Sequence, residues 1–171
     1  MKEKCKIIGY TSGVFDMFHI GHLNILKKAK ERCDYLIVGV STDDVVENYK
    51  HKKPIIPFEE RAEIVKAIKY VDEVVPQTSM DKIEAWNKYH FNILFHGDDW
   101  KGSQMYNDIE EALRCVGCEV VFLPHTDGIS STILRDKINK WSLLKQTVLM
   151  SQIRFKVCEE FRQHSRLLQI G

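Results

Sequence analysis

The sequence predicts an α/β fold: a doubly wound, five-stranded parallel sheet with a C-terminal helical extension. Three observations carry that prediction. Five short apolar, β-branched runs recur between residues 6 and 124. Amphipathic stretches of helical period separate them, and such alternation builds a parallel sheet with helices on both faces. The chain has 171 residues, enough for one domain with a real core and an appendage.

The predicted strands are "KIIGYTS" (6–12), "YLIVGVS" (35–41), "VDEVVP" (71–76), "FNILFHG" (91–97) and "CEVVFLP" (118–124). "YLIVGV" is apolar on both faces, as central parallel strands are. Of the helices, "IGHLNILKKAKER" (20–32) turns Ile20, Leu23 and Leu26 toward a core and most of its lysines outward. "FEERAEIVKAIKY" (58–70) puts Ile64, Val65 and Ile68 on one face. "SMDKIEAWNKYH" (79–90) opens with Ser79 as its expected cap. "YNDIEEALRCVG" (106–117) stops on Gly117, and "SSTILRDKINKW" (130–141) opens on hydroxyls. Loops and helix N-termini then gather at the carboxyl ends of the strands, where ligands bind in such folds.

The domain is expected to span residues 1–141 and the extension 142–171. The extension has no Pro and no Gly before its last residue, so it reads as helical. Leu144, Val148, Ile153, Val157 and Phe161 form an apolar stripe on it. That stripe reads first as a face packed on its own domain or on a dimer partner. The segment also carries a small basic excess, which makes a membrane-surface helix the sharper alternative.

A formal net charge of +1 argues against a generally basic nucleic-acid binder. No apolar run reaches the ~18 residues that span a bilayer. The N-terminus "MKEKCKIIGYTSG" lacks a long apolar segment and a small-residue cleavage site. The expectation is therefore a cytoplasmic protein without a signal peptide. Cys5, Cys33, Cys115, Cys118 and Cys158 are an odd, scattered set, which reads as free thiols in a reducing compartment. Cys115 and Cys118 have half a zinc-site spacing, but no second pair matches them, so they read as ordinary thiols.

The chemistry concentrates in "GVFDMFHIGHLNILKKAKE" (13–31), where His19 and His22 sit three apart around Gly21. A zinc site would need a third ligand, and His51, His90, His96 and His125 stand isolated in the sequence. Phosphate fits better. The pair follows the first strand and opens the first helix, whose free N–H groups and partial positive charge suit an anion. Gly21 would let a ligand approach the backbone. Two imidazole donors there would strengthen their hydrogen bonds as charge builds at phosphorus.

"GVFDMFHIGH" resembles the G-x-F-D-x-x-H-x-G-H signature of the cytidylyltransferase-like nucleotidyltransferases. "YVDEVVP" (70–76), "HGDDWKG" (96–102) and "TDGISST" (126–132) follow in the order and at about the spacing of that family's glycerol-3-phosphate group. The resemblance covers roughly residues 6–140. It implies a Rossmann-like domain that transfers CMP from CTP to a small phosphorylated acceptor and releases pyrophosphate. Mg²⁺ would accompany the triphosphate, and the enzyme would be a homodimer. By resemblance His19 and His22 contact the triphosphate and stabilise the transition state, with Val14 and Phe15 near the nucleotide. Lys50 and Lys52 hold the triphosphate and the substrate phosphate. Asp16, Arg61 and Lys82 fall at substrate positions, although Arg61 could instead pair with a glutamate on its helix. Asp98 lies near the ribose, and Asp99 and Trp100 near the acceptor. Thr126, Gly128, Ile129, Ser130, Ser131 and Thr132 are expected around the nucleotide, the last three at its β- and γ-phosphates.

Three features depart from the family pattern. His125 stands where a nucleotide-contacting arginine is common, and it lacks arginine's fork and fixed charge. Val14 replaces a small polar residue. The chain also continues some thirty residues past the last helix. "GDDWKG" favours a polyol phosphate such as glycerol 3-phosphate as acceptor. Phosphocholine, phosphoethanolamine, a sugar phosphate, adenylyl transfer from ATP and a non-catalytic nucleotide-binding module stay as alternatives.

Overall fold

A computed structural model describes residues 6–145 of the chain. Strands β1 (Ile8–Gly13), β2 (Tyr35–Ser41), β3 (Glu73–Gln77), β4 (Ile93–Gly97) and β5 (Glu119–Leu123) form one sheet in the order β3-β2-β1-β4-β5. Every pairing is parallel, with Tyr10 of β1 opposite Ile37 of β2 on one side and Leu94 of β4 on the other. The predicted five-stranded architecture is therefore what forms. The order of strands reverses between β1 and β4, which puts the topological switch point at the end of β1.

The helices are α1 (Ile20–Lys30), α2 (Asp43–Lys50), α3 (Phe58–Lys66), α4 (Lys82–Tyr89) and α5 (Gln104–Cys115). A single 3₁₀ turn, Asp98–Trp100, follows β4. A sixth helix, α6, occupies 131 to 145 as described, running through Trp141 without a break. The chain divides into two compact units, residues 1–131 and 132–171. Most of the predicted helical extension, with four of the five stripe residues, lies outside the described residues, as do Cys5 and Cys158.

Alternation along the strands sorts the core into two layers. Leu36, Val38, Val40, Phe95, Val121 and Leu123 meet Leu26 and Ala29 of α1 and Val65 of α3. Tyr10, Ile37, Val75 and Leu94 meet Leu113 of α5, with Ile83, Trp86 and Tyr89 of α4 packed alongside. Period-two strands thus cover both sheet faces with helices. Fully burying one such aliphatic side chain stabilises the fold by about 1.5–3 kcal/mol.

Some local expectations are corrected. Helix α2 was not predicted: "DDVVENYK" is short and polar, and Val46 is its one buried residue. Ile20 is 53% exposed, and Ile64 is also exposed, so α1 buries Leu26 and Ala29 and α3 buries Val65. Asp81, not Ser79, caps α4, accepting from the N–H groups of Ile83 at 2.8 Å and Glu84 at 3.3 Å. Ser79 supports the turn before it, accepting from Asp81 N–H. Gly117 does stop α5, in the left-handed region at φ 76° that favours glycine.

Candidate active site

At the switch point, the first helix is capped by the histidines themselves. His19 is the N-cap of α1, and its Nδ1 accepts from Gly21 N–H at 3.1 Å. His22, at the third helical position, reaches back so that its Nδ1 accepts from His19 N–H at 3.4 Å. This is a reciprocal capping box built from imidazoles rather than from Ser/Thr and Glu. The rings stack with centroids 3.9 Å apart. A Cβ on residue 21 would lie 2.9 Å from the His19 ring, so Gly21 makes room for that ring.

The geometry fixes the chemistry of both rings. An Nδ1 that accepts from an amide carries no proton, so in the neutral ring the proton sits on Nε2. Burial and then the neighbouring His19 push the His22 pKa down to about 3, against an upward pull from Asp16 that exceeds the small downward effect of Lys50. Burial lowers that of His19 as well. Near neutral pH the pair therefore offers two neutral Nε2–H donors, held in one tautomer by the helix they start.

Beside the switch point lies a cavity of about 450 Å³ between the ends of β1, β2, β3 and β4 and helices α2, α4 and α5. Val14, Lys50, Lys82, Asp99 and Trp100 line it, so five of the predicted residues come together there. Lys82 is 3% exposed, and its Nζ donates to Ser12 Oγ at 2.9 Å. Burial pushes its pKa down to about 8, partly offset by Asp81. The walls, unlike this cationic floor, are largely apolar and aromatic. Trp100 lies 5.8 Å from Tyr106 and 6.5 Å from Tyr49, ring centre to ring centre, and His96 meets both Trp100 and Tyr106. Burial holds His96 down to about 4.

The remaining predicted residues lie elsewhere. Phe15 is buried, in the left-handed region at φ 55°, with its ring against Phe18 and His22. Arg61 is the clearest departure: it is fully buried and meets neither the cavity nor a glutamate. Its guanidinium donates to the carbonyls of Ile56, Val14 and Ser41 and to the carboxylate of Asp43. Asp16, 4% exposed, spends its carboxylate on the N–H groups of Ile55 and Ile56. Lys52 is exposed on the loop after α2 and does not line the cavity.

Asp98 is occupied by His125, whose Nδ1 lies 3.0 Å from Asp98 Oδ1 and whose N–H donates to the same oxygen. That contact lowers the Asp98 pKa. Thr126 Oγ1 accepts from Asn24 Nδ2 at 2.9 Å, and Ser131 Oγ donates to the Asp16 carbonyl at 2.7 Å. Gly128 turns with φ 76°, and the Ile129 side chain sits over Gly21. Ser130 precedes α6, and Thr132 lies within it, in the second unit. Ser12, Tyr49, Gln77, His96 and Tyr106 belong to the cavity but were not predicted, because no local motif joins residues scattered over five elements.

A parallel sheet with imidazole donors at a helix N-terminus on its switch point, and a cation-floored cavity beside it, defines a protein built to handle nucleotide phosphates. The comparisons give that class its family. Residues 10–137 match the Cytidylyltransferase-like family, and the chain belongs to it. The chain is 41% identical over 131 residues to the glycerol-3-phosphate cytidylyltransferase of Bacillus spizizenii, covering 76% of this chain and 94% of that one. It is 52% identical over 126 residues to the FAD synthase of Thermococcus sibiricus, covering 73% and 85%. Among solved structures, the lipopolysaccharide core biosynthesis protein of Thermoplasma volcanium superposes with a TM-score of 0.60 at 26% identity, over 71% of this chain and 97% of that one. The chain is thus a nucleotidyltransferase. Among the described residues, no helix is long and apolar enough to cross a membrane.

Proposed function

We propose that the protein transfers CMP from CTP to the phosphate of a small acceptor, releasing pyrophosphate. The observation that carries this reading is the stacked histidine capping box, with two neutral Nε2–H donors beside Lys50. In the proposed reaction an acceptor phosphate oxygen attacks the α-phosphorus, the bond to the β-phosphate breaks, and pyrophosphate leaves. The histidine donors bind oxygens whose charge grows along that path. Lys50 adds a positive charge, and the Ser12–Lys82 pair on the cavity floor holds the acceptor phosphate. No covalent enzyme intermediate is required, since positioning and charge stabilisation suffice for such transfers.

Mg²⁺ fits this arrangement as a companion of the triphosphate. Among the described residues no group of three His, Cys, Asp or Glu side chains could cage a metal ion. Mg²⁺ commonly keeps its waters and binds through substrate phosphates and one or two carboxylates. Asp99 lines the cavity and would be its protein ligand, since His125 sits closer to Asp98, at 3.0 Å, than to Asp99, at 3.9 Å. When bound, the ion neutralises phosphate charge. The homodimer stays part of the proposal, resting on kinship, and light scattering of the full chain tests it.

Glycerol 3-phosphate is the first reading for the acceptor, supported by the Bacillus relative at 41% identity. A second reading has its own support. Trp100, Tyr49 and Tyr106 with Asp99 provide aromatic faces and a carboxylate, which suit a cationic amine such as that of phosphoethanolamine or phosphocholine. The test is pyrophosphate release, crossing CTP and ATP with glycerol 3-phosphate, ribitol 5-phosphate, phosphoethanolamine, phosphocholine and flavin mononucleotide. The flavin is included because of the FAD synthase relative. A rate with CTP and glycerol 3-phosphate above all others supports the first reading, and a rate confined to an amine phosphate supports the second. His22→Ala should lower turnover by ~10²–10³ with the fold retained, as loss of one transition-state donor does. Near-normal turnover in that variant would remove the role assigned to the ring.

A further inference from the structure

The backbone of the basic loop between α2 and α3 is tied down at residues 55 and 56, and the tie starts in the histidine loop. Helix α2 ends at Lys50, and His51 caps it in the left-handed region at φ 52°. Lys52 and Lys53 follow, both exposed. The loop then meets Asp16. One carboxylate oxygen accepts from the N–H groups of Ile55 at 3.1 Å and Ile56 at 3.0 Å, and the other accepts from Ile55 at 3.0 Å. Arg61 Nε takes the Ile56 carbonyl from the opposite side at 2.8 Å. The backbone at 55–56 is therefore held through its donors and its acceptor at once.

Asp16 has a second attachment. Its own carbonyl accepts from Ser131 Oγ at 2.7 Å. One residue thus joins three segments: the loop that leads to His19 and His22, the loop that carries the lysines, and the first residue of α6. A carboxylate 4% exposed and aimed at two backbone amides is poorly placed to meet a substrate.

We propose that Asp16 is a positioning residue: by anchoring Ile55 and Ile56 to the histidine loop, it sets where the Lys50–Lys53 segment stands relative to His19 and His22. This rests on the reading of the histidine–lysine site as the triphosphate site. An aspartate is required because a charged acceptor binds two amides more strongly than a neutral one does.

The experiment combines amide exchange with CTP binding on the full chain. In the wild type, the Ile55 and Ile56 amides should exchange at least ~10-fold more slowly than those of Lys52 and Lys53, as bonds to a buried charged acceptor imply. In Asp16→Asn that protection should fall by ~10-fold or more, and CTP affinity should fall by about the same factor. In a Lys50→Ala background, Asp16→Asn should cost less than ~3-fold further, because its effect runs through the segment Lys50 begins. Unprotected 55–56 amides in the wild type overturn the proposal even if the variant fails to fold. So does a loss of affinity that multiplies in full with Lys50→Ala, which would mark a direct substrate contact. If no acceptor in the panel is turned over, the amide measurements still stand, so failure of the functional reading stays distinguishable.

Discussion

Two buried cations lie near the strand ends of this enzyme, and they do opposite things. Arg61 is completely enclosed, and its guanidinium bonds to three backbone carbonyls and to Asp43. Lys82 is almost as enclosed, yet among the described residues its one hydrogen bond goes to Ser12, and its amine lines a cavity of about 450 Å³. The first cation ties loops together. The second is left short of partners beside a space that a ligand can fill. Burial alone does not mark a functional charge. The count of satisfied donors does, because a buried ammonium with donors to spare is costly unless something binds it.

The largest effect should come from breaking the Arg61 knot. Arg61→Ala leaves the carbonyls of Val14, Ser41 and Ile56 without that donor and Asp43 without its partner. Asp43 is 41% exposed, so the loss falls mainly on the three carbonyls, at about 1–3 kcal/mol for each buried group left unsatisfied. Urea denaturation should show a loss of that order, or a chain that does not fold. A variant of near-normal stability and weakened substrate binding would return Arg61 to the ligand.

Lys82→Met should do the reverse. It removes a buried charge with little change in volume, so the midpoint of thermal unfolding should hold or rise. The KM of whichever acceptor proves active should rise by ~10–100-fold, the worth of a charged hydrogen bond of about 1.5–3 kcal/mol. The KM for CTP should stay within a few-fold. If CTP suffers and the acceptor does not, the cavity holds nucleotide instead.

The contrast also shows what could be read without a structure. The five strands were legible because β-branched apolar runs with no polar face have few other folds open to them. The place of the histidine pair at the opening of the first helix was legible because its spacing and neighbours are local. What was hidden depends on tertiary partners. "FEERAEI" has the charge of a solvated helix face, and nothing in it says that Arg61 turns inward to three carbonyls. Asp16 looks like a ligand-binding acid within its motif, and its actual targets lie 39 and 40 residues on. Trp100 was read from its motif, but the rest of the aromatic wall was not, because Tyr49, His96 and Tyr106 come from three further elements. Helix α2 escaped because it buries so little that its sequence carries almost no period.

The smallest effect separates the two cations by pH. Burial holds the pKa of Lys82 down to about 8, against 10.5 for an ordinary lysine. Between those values the unfolded chain binds more protons at this site than the folded one, so this group's contribution to stability rises with pH. Acceptor binding moves the other way, because the amine that would hold the phosphate loses its charge above about 8. From pH 7 to pH 9 the acceptor KM should therefore rise by ~10-fold or less, one unit past a pKa leaving about a tenth of the sites charged. Lys82→Met should flatten that rise. On the acid side, His22 at about 3 and His96 at about 4 are both held neutral. The unfolded chain then binds the extra protons below about 6.5, and these groups cost stability as pH falls from there toward 4. Acceptor KM measured against pH in both proteins decides the matter. A rise that survives in Lys82→Met belongs to another group, and it would leave the cavity floor without the role its geometry gives it.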